Sequence, residues 1–182
     1  MRNKKYQIAI IGNAGLEEYP EGTEIKPEVF DYAYELGKLI GQQGWSVITG
    51  GKSGVMVAAN KGCRETGGIS VGVVTGDKRF TANEYVDVEV VPGTYNCGEE
   101  MTLITMSDAV IMLGGGMATM QELTMAYRQA KPLFSIRNLG GWSQRLEKFP
   151  VLDERNKVNI DYSDNPEELM AKLNQLLGVY DE

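Results

Sequence analysis

The sequence predicts an α/β protein: a doubly wound, mostly parallel sheet with helices on both faces. Three observations lead there. Short β-rich apolar runs alternate with amphipathic helical stretches along the whole chain. One run, AVIML at 109–113, is apolar without interruption, as the buried centre of a parallel sheet requires. Glycine is frequent, at 22 of 182 residues, above the usual ~7%, and it clusters where the apolar runs end.

The elements follow in order. YQIAII (6–11) is a strand that stops at Gly12. PEVFDYAYELGKLIGQQG (27–44) opens with Pro27, places Val29, Phe30, Ala33, Leu36 and Ile40 at helical spacing and closes at Gly44. WSVIT (45–49) is a strand ending at Gly50-Gly51, and SGVMVAANKGCRE (53–65) a helix. ISVGVV (69–74) and YVDVEVV (85–91) are strands, with a polar loop at 76–84 between them. Residues 98–107 read as a helix, 109–113 as the central strand, TMQELTMAYRQA (119–130) as a helix and PLFSI (132–136) as a strand. A short helix near 141–148 and a weak strand near 157–161 precede the last helix, NPEELMAKLNQLL (165–177). There Asn165 is the N-cap, Pro166 the first helical residue and Glu168 the capping partner. The acidic stretch 15–26 reads as a solvated connection. The length suits one domain over residues 1–182.

Composition removes several function classes. The net charge is −7, so no broad positive field favours nucleic acid or an anionic membrane. With no histidine, Ser-His-Asp and Cys-His catalysis and the usual zinc ligands are absent. Cys63 and Cys97 form no CxxC pair. They read as two reduced thiols of a cytoplasmic protein, with no metal site and no cofactor expected. No apolar run reaches membrane-span length.

In a parallel doubly wound sheet, ligands bind beyond the carboxyl ends of the strands. Three glycine-bearing ends meet that edge: GNAG (12–15), TGGKSG (49–54) and GGGMAT (114–119). The last two run into helices, whose free N–H groups and positive dipole ends suit an anion. Candidate phosphate-binding residues are therefore Gly12, Asn13, Gly51, Lys52, Ser53, Gly114, Gly115, Gly116, Met117, Ala118 and Thr119. None of the turns matches GxGxxG or GxxxxGK[ST], so neither a dinucleotide fingerprint nor a P-loop is present.

Glu122 admits two roles. Thr119-Met120-Gln121-Glu122 has the T-x-x-E spacing of a capping box, which accounts for both residue types. Alternatively the Glu122 carboxylate faces the cleft as an acid, base or ion stabiliser. Spacing alone favours the cap.

SDAVIMLGGGMATMQEL (107–123) resembles the PGGxGTxxE segment of the LOG-like Rossmann family, and VITGGKSGVMVAANKGCRE (47–65) resembles that family's glycine-rich segment after the second strand. The similarity runs from Gln7 to about Pro132. It implies a homodimer or higher homo-oligomer and a phosphorylated small-molecule ligand, such as a nucleoside monophosphate. Active members are phosphoribohydrolases, which cleave the N-glycosidic bond. By position, Gly115, Gly116 and Thr119 match the phosphate loop and Glu122 the catalytic glutamate. Gly114 replaces the motif's proline and Ala118 its second glycine. Where the family carries its catalytic arginine, this chain has Glu99-Glu100, a charge reversal that cannot serve a phosphate. Lys52 is one substitute cation. Otherwise Glu99, Glu100 and Glu122 favour a cation or an amine-bearing group, although two acids in a helix's first turn are more commonly a solvated face. Binding is thus expected more firmly than catalysis, with a phosphorylated cofactor such as a pterin as the third alternative.

Overall fold

The computed structural model describes residues 5–95, 98–149, 151–155 and 158–179. Seven strands form one sheet in which every ladder is parallel: β1 (Gln7–Gly12), β2 (Ser46–Thr49), β3 (Ile69–Val73), β4 (Val88–Val90), β5 (Ala109–Leu113), β6 (Leu133–Ile136) and β7 (Ile160–Ser163). Their spatial order is β4-β3-β2-β1-β5-β6-β7. The direction of winding therefore reverses between β1 and β5, and this is where a crevice opens.

Six α-helices cover the sheet: α1 (Glu28–Gln42), α2 (Val55–Glu65), α3 (Glu99–Met106), α4 (Met117–Arg128), α5 (Gly141–Leu146) and α6 (Pro166–Val179). One core cluster joins Val29, Leu36 and Ile40 of α1, Val55 and Ala59 of α2 and Leu169 and Leu173 of α6 to Ile8, Ile10 and Ile111. The other joins Leu103 of α3, Leu123 of α4 and Leu146 of α5 to Ala9, Ile11, Val110 and Met112. Alternate residues of β1 and β5 thus feed opposite layers, which is why both strands are apolar throughout. No helix among the described residues is long and apolar enough to cross a membrane.

The first two helices pack backbone to backbone. A Cβ on Gly37 would lie 2.2 Å from the Ala59 carbonyl oxygen, and one on Gly62 would lie 2.1 Å from that of Tyr34. Glycine inside these helices costs helix propensity but permits the close crossing. Cys63 is buried in the same layer as a free thiol, and burial pushes it up to about 11. Cys97 lies outside the described residues.

Element positions follow the sequence closely, with three corrections. β4 spans Val88–Val90 rather than 85–91, the three residues in register with Val71–Val73 of β3. β7 spans Ile160–Ser163 rather than 157–161, since its ladder matches the four residues of β6, from Leu133–Ile160 to Ile136–Ser163. Lys157 lies outside the described residues. The third correction concerns α4, which starts at Met117, two residues early. At α6 the expected cap forms: Asn165 Oδ1 accepts the Glu168 N–H at 2.9 Å. The Glu168 carboxylate accepts the N–H of Asp164 at 2.8 Å.

Gly62→Ala should destabilise the protein by about 1–3 kcal/mol through overpacking, while Gly178→Ala, which meets open space in α6, should be neutral or stabilising by up to ~1 kcal/mol. Urea denaturation of the two variants checks the contrast.

Candidate functional site

The ends of β2, β1 and β5 lie side by side at the carboxyl edge. Gly12 is required there by close approach: a Cβ would sit 2.1 Å from the Leu113 carbonyl oxygen. Asn13 follows, buried, and joins all three loops. Its N–H donates to Leu113 O at 3.3 Å, and its carbonyl accepts the Val55 N–H at 3.0 Å. Its Oδ1 accepts the Gly115 N–H at 2.9 Å, and its Nδ2 donates to the Tyr19 hydroxyl at 3.1 Å. Gly114, at φ +66°, leaves room for this contact, since a Cβ would fall 1.9 Å from Asn13 Oδ1.

The turn after β5 therefore works differently from expectation. The Gly114 N–H donates to Ser143 Oγ at 3.0 Å, and the Gly115 N–H is taken by Asn13. Both amides are spent inside the protein, because the turn must be tied to α5 and to β1. Open donors begin one residue later. The backbone N–H groups of Gly116, Met117, Ala118 and Thr119 have no acceptor among the described residues, and the first three residues are exposed. They form the first turn of α4, where the helix dipole favours an anion.

The turn after β2 is also largely structural. Gly51, at φ +70°, donates its N–H to Thr49 Oγ1 at 3.0 Å and accepts the Asn83 N–H at 2.7 Å. Ser53 Oγ accepts the Gly15 N–H at 2.9 Å and donates to the Glu18 carboxylate. These contacts hold the neighbouring loops rather than face a ligand. Lys52, by contrast, is exposed and makes no ion pair among the described residues.

A cavity of about 190 Å³ opens between these loops. Of the residues expected at the site, Gly12, Lys52, Ala118, Thr119, Glu99, Glu100 and Glu122 line it. Asn13, Gly51, Ser53, Gly114, Gly115, Gly116 and Met117 are not among its lining residues. Glu18, Met56, Thr75 and Leu103 also line it and were not anticipated. Thr75, just past the end of β3, was legible as a fourth strand end. Glu18 was not, because the stretch 15–26 looks like a solvated connection; its short 3₁₀ turn, Leu16–Glu18, folds back over the edge instead. A wider hollow of about 660 Å³ lies behind α4, against Tyr127, Leu146 and Phe149, away from the strand ends.

The capping box does not form. Because α4 starts at Met117 behind Gly116, Thr119 is already the third helical residue, and the helix has no side-chain cap. The buried Thr119 hydroxyl donates to Gly12 O at 3.2 Å, pinning α4 to β1. Glu122 is released to the cavity, where no hydrogen bond from the described residues holds it. It keeps some solvent contact through the cavity mouth, yet protein surrounds it on most sides. Burial, and then the charges of Glu100 and Glu99, push its carboxyl up to about 8. Glu100 is also raised, by burial and by Glu99, with Lys52 acting in the opposite sense. Its Oε2 is buried without a partner. The acidic pair therefore faces the cavity and is not a solvated face.

The SLOG cluster4 family model matches residues 5–170. The chain belongs to that family. It is 30% identical over 134 residues to an uncharacterised protein of Archaeoglobus fulgidus, covering 74% of this chain and 82% of that one. It is 29% identical over 125 residues to a cytokinin riboside 5'-monophosphate phosphoribohydrolase of Mycobacterium tuberculosis, covering 66% of each. Among solved structures, a structural-genomics X-ray structure superposes with a TM-score of 0.81 at 29% identity over 93% of this chain and 99% of that one. The molybdenum cofactor carrier protein of Chlamydomonas reinhardtii gives 0.79 at 27% identity over 96% and 99%. The proteins this chain resembles thus include a phosphoribohydrolase and a molybdenum cofactor carrier.

The raised Glu122 has a consequence for stability. The folded protein keeps a proton there that the unfolded chain loses near 4.5. Stability from this group is fully present below that value and fades as the pH rises towards about 8. Across that window the wild type should lose stability relative to Glu122→Gln, by on the order of a few kcal/mol, and the difference should level off above it. Urea midpoints measured against pH for both proteins check this.

Proposed function

We propose that the protein binds a phosphorylated small molecule, a nucleoside monophosphate first among the candidates, with its phosphate on the first turn of α4. The observation that carries this is the set of open N–H groups from Gly116 to Thr119, directly beside a cavity that receives the rest of the ligand. Lys52 supplies the nearby positive charge. Binding without turnover is favoured. The resemblance puts Glu99-Glu100 where the family carries its arginine, and burial and the neighbouring acids push the Glu122 carboxyl up to about 8, so water meets no ready base at neutral pH. The similarity to a cofactor carrier supports the same view, with a phosphorylated cofactor as the alternative occupant.

Phosphoribohydrolysis is the second reading, supported by the mycobacterial relative and by Glu122 standing free in the cavity. We further propose self-association through the outer face of α3 and α4, where Met101 and Met117 stand exposed at 49% and 73%; light scattering after size exclusion tests it, and a monomer at micromolar concentration would refute it.

A thermal-shift panel of inorganic phosphate, AMP and related monophosphates tests binding. A true ligand at one hundred times its Kd should stabilise by about 2.7 kcal/mol. Ala118→Asp should abolish that shift while the unliganded protein keeps its Tm, because an acid in a helix's first turn suits the dipole but repels a phosphate. No shift from any phosphorylated compound would refute the proposal. Chromatography of the same incubations should show no free base; release that disappears in Glu122→Ala would establish the hydrolase instead.

A further inference from the structure

Gly50 and Gly51 give the turn after β2 little conformational preference of its own, yet Lys52 follows them directly and lines the cavity. Gly51 is held from two sides. Its N–H goes to Thr49 of β2, and its carbonyl accepts the Asn83 N–H at 2.7 Å. The second contact comes from the loop 76–84, which also packs there: a Cβ on Gly51 would meet the Ala82 Cβ at 3.4 Å. The placement of Lys52 therefore depends on how firmly that loop is fixed.

The loop is fixed through its backbone. Phe80 sits at φ +65° although it is 87% exposed, so burial of the ring does not explain a conformation that bulky residues avoid. A left-handed residue turns successive N–H groups to one side, where they suit an anion. Here the anion is a side chain: the N–H groups of Phe80, Thr81 and Ala82 all donate to the carboxylate of Glu89 on β4, the last two at 2.7 Å. Burial acts the other way, but these bonds hold the Glu89 carboxyl below its usual value. At the start of the loop the Gly76 N–H donates to Thr94 O at 2.6 Å. Glu89 is not among the residues that line the cavity, so any part it has in binding passes through the loop.

We propose that Glu89 is a positioning residue for the ligand site: by gathering the loop it fixes the Gly51 carbonyl, and with it the direction in which Lys52 meets the phosphate. This rests on the phosphate site proposed above, with Lys52 as its cation. It gives the short edge strand β4 a part in binding, three strands away from the start of α4.

A double-mutant cycle on Glu89→Ala and Lys52→Ala tests it, read as AMP affinity by calorimetry, with hydrogen exchange of the loop amides as the second readout. Glu89→Ala should speed exchange at Phe80, Thr81, Ala82 and Asn83, with or without AMP, and weaken AMP binding about fivefold. In the Lys52→Ala background the same change should weaken binding no further, because the residue it positions is gone. Glu89→Gln, which keeps one acceptor oxygen and the shape of the side chain, should lie between wild type and Glu89→Ala, and it carries the test if the alanine variant does not fold. Equal losses in both backgrounds would overturn the assignment, since a merely structural role weakens binding whether or not Lys52 is present. A loosened loop with unchanged AMP affinity would overturn it too, and both results leave the phosphate site standing. Unchanged exchange would overturn the role of Glu89 in the loop. If neither AMP nor inorganic phosphate binds the wild type, the phosphate site falls and this assignment falls with it.

Discussion

Asn13 sits where β1, α2 and the turn after β5 meet, and its four hydrogen bonds set the geometry of the carboxyl edge. The amide side chain is suited to this because it accepts on one side and donates on the other. Its Oδ1 holds the Gly115 N–H and its Nδ2 holds Tyr19, so one group fixes two loops that are far apart in sequence. Gly12 and Gly114 have no side chains because Leu113 O and Asn13 Oδ1 already fill that space. Ser143 completes the frame by accepting from Gly114. Once these groups are satisfied, α4 has to begin just beyond them, and its first turn is the nearest unsatisfied set of donors.

That arrangement separates two polarities within a short distance. The open amides of Gly116–Thr119 are of the kind that suits an anion, and Glu99, Glu100 and Glu122 line the cavity beside them. A net charge of −7 would repel a phosphate at long range, so a local set of backbone donors matters more here than overall charge. Thr119 stands at the boundary, with its hydroxyl committed to β1 and its N–H open.

The fold was legible because apolar runs and glycine punctuation are local signals. β5 is the clearest case, since five consecutive apolar residues can only suit a strand buried on both faces. β7 was less legible because an edge strand takes its length from its neighbour, not from its own pattern. At the site, the residue types were visible but several roles were not. Gly115 matches a phosphate-loop position, yet its amide is occupied by an asparagine 102 residues away. Thr119 and Glu122 have capping-box spacing, yet a helix that starts two residues earlier makes the box impossible.

The sequence by itself determined the order of elements, the strand ends that carry glycine, and the exclusion of histidine chemistry, because each depends on residue type and short-range periodicity. Tertiary structure decided which amides remain open and which acids share a cavity. Hydrogen-bond satisfaction and desolvation are properties of groups brought together from distant parts of the chain. Glu99-Glu100 look like a solvated helix start until α3 packs beside α4, and only then do they raise the pKa of Glu122.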